Sequence, residues 1–223
     1  MGRALTLLGA ACSEASPDEL ASLSIGRRDA DLLALREGTF GSEMAGVAVC
    51  PRCGEQLELL FGVAQIRQQS VAQAGQAFAL TVDGYQLQVR PPNSMDLAAI
   101  GAQHDASLRR RLLLERCLIA VHREATPVAT DELPANVIIA VEEGIARADP
   151  QADIRLAISC PACDHRWEGV FDILSFFWSE IEAWAARILH EVHILASAYG
   201  WREHDILALS ARRRQFYLEM AGG

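Results

Sequence analysis

The chain has 223 residues, 51% of them apolar, and a formal net charge of −9. It is long enough for one substantial core or two modest ones, and too apolar to be disordered. The acidic balance argues against a general binder of nucleic acid or anionic membrane, and no stretch reaches the roughly 18 apolar residues of a membrane span.

The opening residues 1–12 resemble a signal peptide only faintly, because their apolar run is short and Gly9 fits a cleavage site poorly. Ser16-Pro17-Asp18-Glu19 reads as a helix start: a capping serine, proline at the first helical position, then acids in the first turn. That helix is expected to end at Leu23. Ser24 caps a second one, which carries Ile25, Leu32, Leu33 and Leu35 and ends near Gly38 and Gly41. The Arg27-Arg28-Asp29 cluster is assigned to its solvated face. Residues 44–49 and 57–63 read as strands, and the polar stretch 65–77, with Gln68, Gln69 and Gln73, as a loop. Alternation from Phe78 to Val89 around Asp83-Gly84 predicts a hairpin, closed by Arg90-Pro91-Pro92. Asn93 or Ser94 caps a helix through Met95, Leu97 and Ile100. Longer helices are expected over 106–121, with Cys117 as a small core residue, and from Leu133-Pro134 to Ala148, where Asp149-Pro150 stops it. Arg109-Arg110-Arg111 is a solvated face. Strands are expected over 154–159 and 167–173. From Ser175 an apolar pattern at helical spacing runs for about 24 residues to Tyr199. Gly200 caps its end, and shorter helices follow over 202–207 and, after Ser210, over 211–220.

Two stretches organise this order. Cys50-Pro51-Arg52-Cys53 and Cys160-Pro161-Ala162-Cys163 are one Cys-Pro-x-Cys knuckle used twice, with Glu58 and Glu168, then Phe61 and Phe171, in register behind them. A Cys-x2-Cys turn directs two sulfurs at one ion, and a tetrahedral ion needs two such turns. The expected ligands are therefore Cys50, Cys53, Cys160 and Cys163. The 106 residues between Cys53 and Cys160 must then loop out while the knuckles meet. Four protein ligands leave no open position, so the site is structural. Zinc is favoured and iron is the alternative. Two redox pairs, or buried cysteines without metal, are the competing readings. Metal-binding rather than disulfide usage points to a reducing cytoplasm.

Other constellations carry less. His190 and His193 are three apart, whereas the zinc-protease helix needs four, so an exposed helix face is the reading. His165 is spare beside four cysteines. Residues 196–206 have helix-turn-helix spacing, but the second helix carries Glu203 and Asp205, a poor set for approaching phosphates. There is no Gly-rich phosphate loop, no Gly-x-Ser-x-Gly elbow and no evident catalytic triad.

Leu35-Arg36-Glu37-Gly38-Thr39-Phe40-Gly41 followed by the first knuckle, and the hairpin leading into Arg90-Pro91-Pro92-Asn93-Ser94-Met95-Asp96, resemble the T-even-phage type baseplate protein family. The second knuckle with Phe176-Phe177-Trp178 resembles its later part. The tail, from Glu191-Val192-His193-Ile194-Leu195 through Arg212-Arg213-Arg214-Gln215-Phe216-Tyr217, is similar to small tail-assembly proteins of contractile phages and extracellular contractile injection systems. The resemblance implies a non-enzymatic role in building a baseplate or hub, with baseplate, hub or tape-measure proteins as partners, and it carries over no catalytic residue.

The expected fold is α+β. A small metal-pinned β unit of both knuckles and the hairpin is surrounded by helices, with a C-terminal helical arm. The expected division is 1–43 for N-terminal helices, 44–174 for the knuckle unit with a helical insertion at about 94–149, and 175–223 for the arm. The expected function is assembly of a phage-tail-like contractile injection particle, in the cytoplasm and with carriage into the particle open, without nucleic acid or membrane as partner. A zinc-containing helix-turn-helix regulator is the alternative.

Overall fold

The computed structural model describes residues 2–12, 14–68 and 75–222. Contacts divide the chain into two units, Met1–Leu174 and Ser175–Gly223. The first contains helices α1 (Gly2–Ala11), α2 (Pro17–Ser22) and α3 (Ile25–Phe40), the ribbon β1 (Glu43–Val49) and β2 (Gln56–Gly62), and the short α4 (Val63–Ile66). It continues with β3 (Phe78–Val82), β4 (Tyr85–Val89), α5 (Ser94–Ile100), α6 (Ala106–Cys117), β5 (Leu118–Arg123), β6 (Thr126–Pro127) and α7 (Ala135–Ala148). A second ribbon, β7 (Ile154–Ser159) and β8 (Arg166–Phe171), completes it. The α+β class holds. The hairpin, however, does not join the knuckles. The strands form three sheets: β1-β2, β3-β4-β5-β6 and β7-β8.

Local chemistry accounts for most boundaries. Ser16 caps α2 in a full capping box with Glu19, and Ser24 and Ser210 accept from the backbone amides of Arg27 and Arg213. Asp83 and Gly84 both have positive φ, 47° and 78°, so the β3–β4 turn twists with its strands. The opening residues form a helix with Ala4 and Leu8 buried. The helix expected over 106–121 stops at Cys117, and Leu118 begins β5, which pairs with β4. Of the stretch 65–77, residues 69–74 lie outside the described residues, while Gln68 donates its amide to Gln151. Tyr85, Leu87, Val89 and Val121 on the sheet pack with Leu114 of α6 and Val137 and Val141 of α7 as one core cluster.

Two corrections concern charge. Arg28 is buried rather than solvated: it pairs with Asp29 at 2.7 Å and donates to Ser94 Oγ. Burial, against the pull of Arg28, pushes the Asp29 carboxyl up to about 6. In α5 the apolar Met95 and Leu97 are exposed, and the buried face is Ser94, Asp96 and Ile100.

The start of α3 is tied to the end of α7. Asp149 accepts from Ser24 Oγ at 3.0 Å and from the Gly26 amide at 2.8 Å. A Cβ on Gly26 would fall on the Asp149 carboxylate and lie 2.9 Å from the Ala152 nitrogen, which is backbone and cannot swing away. Gly26→Ala is therefore expected to destabilise by about 1–3 kcal/mol, the range for overpacking, measured by urea unfolding. A variant as stable as the parent would show that this junction relaxes freely.

The second unit contains α8 (Ile173–Tyr199), which begins just before it, α9 (Glu203–Leu207) and α10 (Ala211–Ala221). Gly200 follows α8 with φ 69°, which suits the expected glycine cap. Leu195 and Ile206 are fully buried. Trp201 stacks on Tyr199 and meets Tyr217 edge-on, with centroids 4.7 and 4.8 Å apart. Arg214 joins Glu191 at 2.9 Å and the Leu209 carbonyl at 2.7 Å.

Candidate metal centre

Each knuckle is the turn of a ribbon. β1 delivers Cys50 and β2 leads away after Glu55; β7 delivers Cys160 and β8 leads away after His165. The backbone closes identically in both. Cys50 N donates to Glu55 O and Gly54 N to Cys50 O; Cys160 N donates to His165 O and Asp164 N to Cys160 O, all between 2.8 and 2.9 Å. The fifth residue of each turn is left-handed, Gly54 at φ 79° and Asp164 at φ 55°. Glycine costs nothing there, and aspartate is among the few other residues that tolerate it. The proline takes the position after the first cysteine, where its missing N–H is not needed.

The four expected ligands meet. Their Sγ atoms all lie within 4.8 Å of one another, and the set could hold a metal ion. Cys50 Sγ is 3.7 Å from Cys163 Sγ, and Cys53 Sγ is 3.6 Å from Cys160 Sγ. Exchanging the two knuckles swaps one pair for the other, so the contacts obey a local two-fold relation. Phe61 and Phe171, equivalent in the repeat, touch each other edge-on at 5.5 Å. Cys50 and Cys160 are buried with Leu57 beneath Leu59 and Trp167. The donor set fits a four-thiolate ion. A tetrahedron with metal–sulfur bonds of about 2.3 Å has sulfur–sulfur edges of about 3.8 Å.

The thiols themselves favour a cation. Burial pushes the Cys50 thiol up, but the backbone amides of Cys53 and Arg52 and the neighbouring thiols outweigh it and bring it to about 7. The Glu55 amide favours a thiolate at Cys53, yet the crowding thiols of Cys163, Cys50 and Cys160, with burial, push it to about 12. The His165 amide acts likewise on Cys163, which is nevertheless raised, by burial and by the thiols of Cys50 and Cys160. One proton leaves readily and the next resist, because adjacent thiolates repel. A cation at the centre removes that repulsion.

Other candidates lie elsewhere. His165 stacks on Trp167 at 5.8 Å between ring centroids. Glu58 and Glu168 are exposed, as are His190 and His193. Cys117 is buried, with its thiol pushed up to about 11 by burial, and Cys12 is exposed. The second helix of the helix-turn-helix spacing is α9, only five residues long. Among the described residues no helix is long and apolar enough to cross a membrane.

Sequence reasoning missed a second cluster, centred on Asp96 of α5. Arg90 grips its carboxylate with two bonds, 2.6 and 2.9 Å, Arg116 adds a third at 2.8 Å, and the Asn93 amide a fourth at 3.0 Å. Burial raises its pKa, but these donors win and hold it below the usual carboxylate range. The signal lay in Asn93-Ser94-Met95-Asp96, a capping box with an acid at its fourth position.

No curated protein and no solved structure matches the chain. A family model described as T4 bacteriophage base plate protein matches residues 1–178, which takes in both knuckles and the Asp96 cluster and stops inside α8. With four-fifths of its length matched, the chain belongs to the T4 bacteriophage base plate protein family.

Proposed function

We propose that this protein is a non-enzymatic assembly factor or minor component of the baseplate or hub of a phage-tail-like contractile injection particle, with a structural zinc at Cys50, Cys53, Cys160 and Cys163. The family match carries the reading, because it spans the whole first unit. The chemistry agrees with it: four thiolates saturate a tetrahedral ion and leave no position for a substrate. The partners are baseplate, hub or tape-measure proteins, met in the cytoplasm where particles are built. The arm, residues 175–223, is the proposed docking element. It lies almost wholly beyond the family match and exposes Trp184, Leu189, Phe216 and Met220. Aromatic and arginine residues are frequent anchors of protein interfaces.

Deleting the gene from a contractile-tail cluster is expected to abolish assembled baseplates, read by electron microscopy and by sedimentation of particles. Complementation with the full chain should restore them, and complementation with residues 1–201 should not. Normal particles from the deletion strain would overturn the function. Full rescue by the shortened chain would overturn the role of the arm.

A further inference from the structure

The two ribbons are equivalent, and their outer faces differ in an informative way. On the β7–β8 ribbon, Asp153 and Glu168 both pair with Arg155, at 3.0 and 3.5 Å. The equivalent positions on the β1–β2 ribbon are Glu43, Glu58 and Ala45. Both acids are kept and the arginine between them is gone. Among the described residues neither Glu43 nor Glu58 has an ion-pair partner. Around the gap the face is apolar: Val47 and Val49 are about three-fifths exposed, at 60% and 61%, and Leu60, paired across from Ala45, is 81% exposed. The equivalents of Val47 and Val49 are Ala157 and Ser159. The fold therefore does not require valines there. This face lacks a cation and carries unburied apolar surface beside the vacancy.

Helix α10 presents the complement. Phe216 and Met220, 59% and 51% exposed, sit four residues apart on one face. Arg212 and Arg213 flank that line at helical spacing, and neither has an ion-pair partner among the described residues. The opposite face, Arg214 and Tyr217, is the one held to the rest of its own unit. Residues 212–220 span about 12 Å of helix. The seven-residue ribbon is about 20 Å long, so the helix face fits within it.

We propose that the chain associates with itself head to tail: α10 of one copy lies on the β1–β2 outer face of the next. Phe216 and Met220 cover Val47, Val49 and Leu60, and Arg212 or Arg213 takes the place above Ala45, between Glu43 and Glu58, that Arg155 fills in the other ribbon. The contact joins two different surfaces, so it propagates from copy to copy into a ring or a filament. It goes beyond the baseplate assignment and does not depend on it.

Analytical ultracentrifugation of the full chain tests it. The wild-type protein should sediment as multiples of 24.3 kDa, with the mass rising with concentration and falling as salt screens the arginine contact. Ala45→Arg, which copies the second ribbon, fills the vacancy within the chain and should give monomers. Phe216→Glu should do the same from the helix side. Both positions are exposed, and unchanged circular dichroism would confirm folding. Mixed together, these two monomeric variants retain one good ribbon and one good helix between them, so they should form a 1:1 dimer and nothing larger. A monomeric wild type, undiminished association of Ala45→Arg, or a mixture that stays monomeric would each overturn the proposal.

Discussion

Purified protein is expected to carry one zinc per chain, and both Cys53→Ser and Cys160→Ser should lose it together with the folded first unit. The two knuckles belong to ribbons far apart in the chain, and Cys53 and Cys160 meet across 107 positions. Among the described residues the apolar cluster around the thiols is small, Leu57, Leu59 and Trp167, with Phe61 and Phe171 meeting edge-on between the ribbons. The binding free energy of a structural zinc is about 10–16 kcal/mol in isolated zinc-finger peptides, comparable to the whole stability of a domain. Removing one ligand therefore removes an amount the ribbons cannot replace. Metal analysis after preparation without chelator, with thermal melts of parent and variants, reads the result. Metal uptake should release protons, since the Cys53 and Cys163 thiols are raised and so held protonated in the metal-free state. Absence of metal from protein prepared in zinc, with serine variants melting like the parent, would refute the site. A chelator that strips the metal without shifting the melt would confine the ion to occupancy without a structural role.

How much of this was legible depended on whether the determinant was local. The knuckles were, because cysteine, proline and spacing repeat in register. Capping by Ser16, Ser24 and Ser210 was, since each cap is made by its own side chain. The end of α6 was not. Leu118, Ile119 and Val121 continue the apolar run of the helix with no glycine or proline between, and what turns the chain into β5 is pairing with β4. The hairpin was legible as a hairpin, but its sheet was not, for the same reason. Burial of charge was the third gap. Arg28 read as a solvated residue and Asp96 drew no reading at all, because nothing nearby in sequence shows that Ser94, Arg90 and Arg116 will converge on them. The four cysteines could be paired by chemistry alone. A buried carboxylate is recognised only once its arginines are in place.

Asp96→Ala is the second large effect expected. The carboxylate is 1% exposed and joins the end of β4, through Arg90, to the first turn of α5 and the last turn of α6, through Arg116. Its removal leaves the Arg116 guanidinium and the Asn93 amide without this acceptor and Arg90 with only the Pro91 carbonyl. Breaking a buried ion pair from one side costs about 3–5 kcal/mol. Arg90 and Arg116 are 30% and 42% exposed, so water recovers part of their solvation, and the expected loss is about 3 kcal/mol, at the lower end of that range. Asp96→Asn, which keeps the shape and one acceptor, should lose less. The pH dependence separates charge from packing. A carboxylate whose folded pKa is lowered contributes its full stabilisation above the unfolded value of about 3.9, and loses it as pH falls through the folded value. The stability gap between parent and Asp96→Asn is therefore expected to be constant near neutrality and to close below about pH 4, in urea titrations across that range. A gap that persists undiminished in acid would mean that shape, not charge, holds α5 and α6 to the sheet.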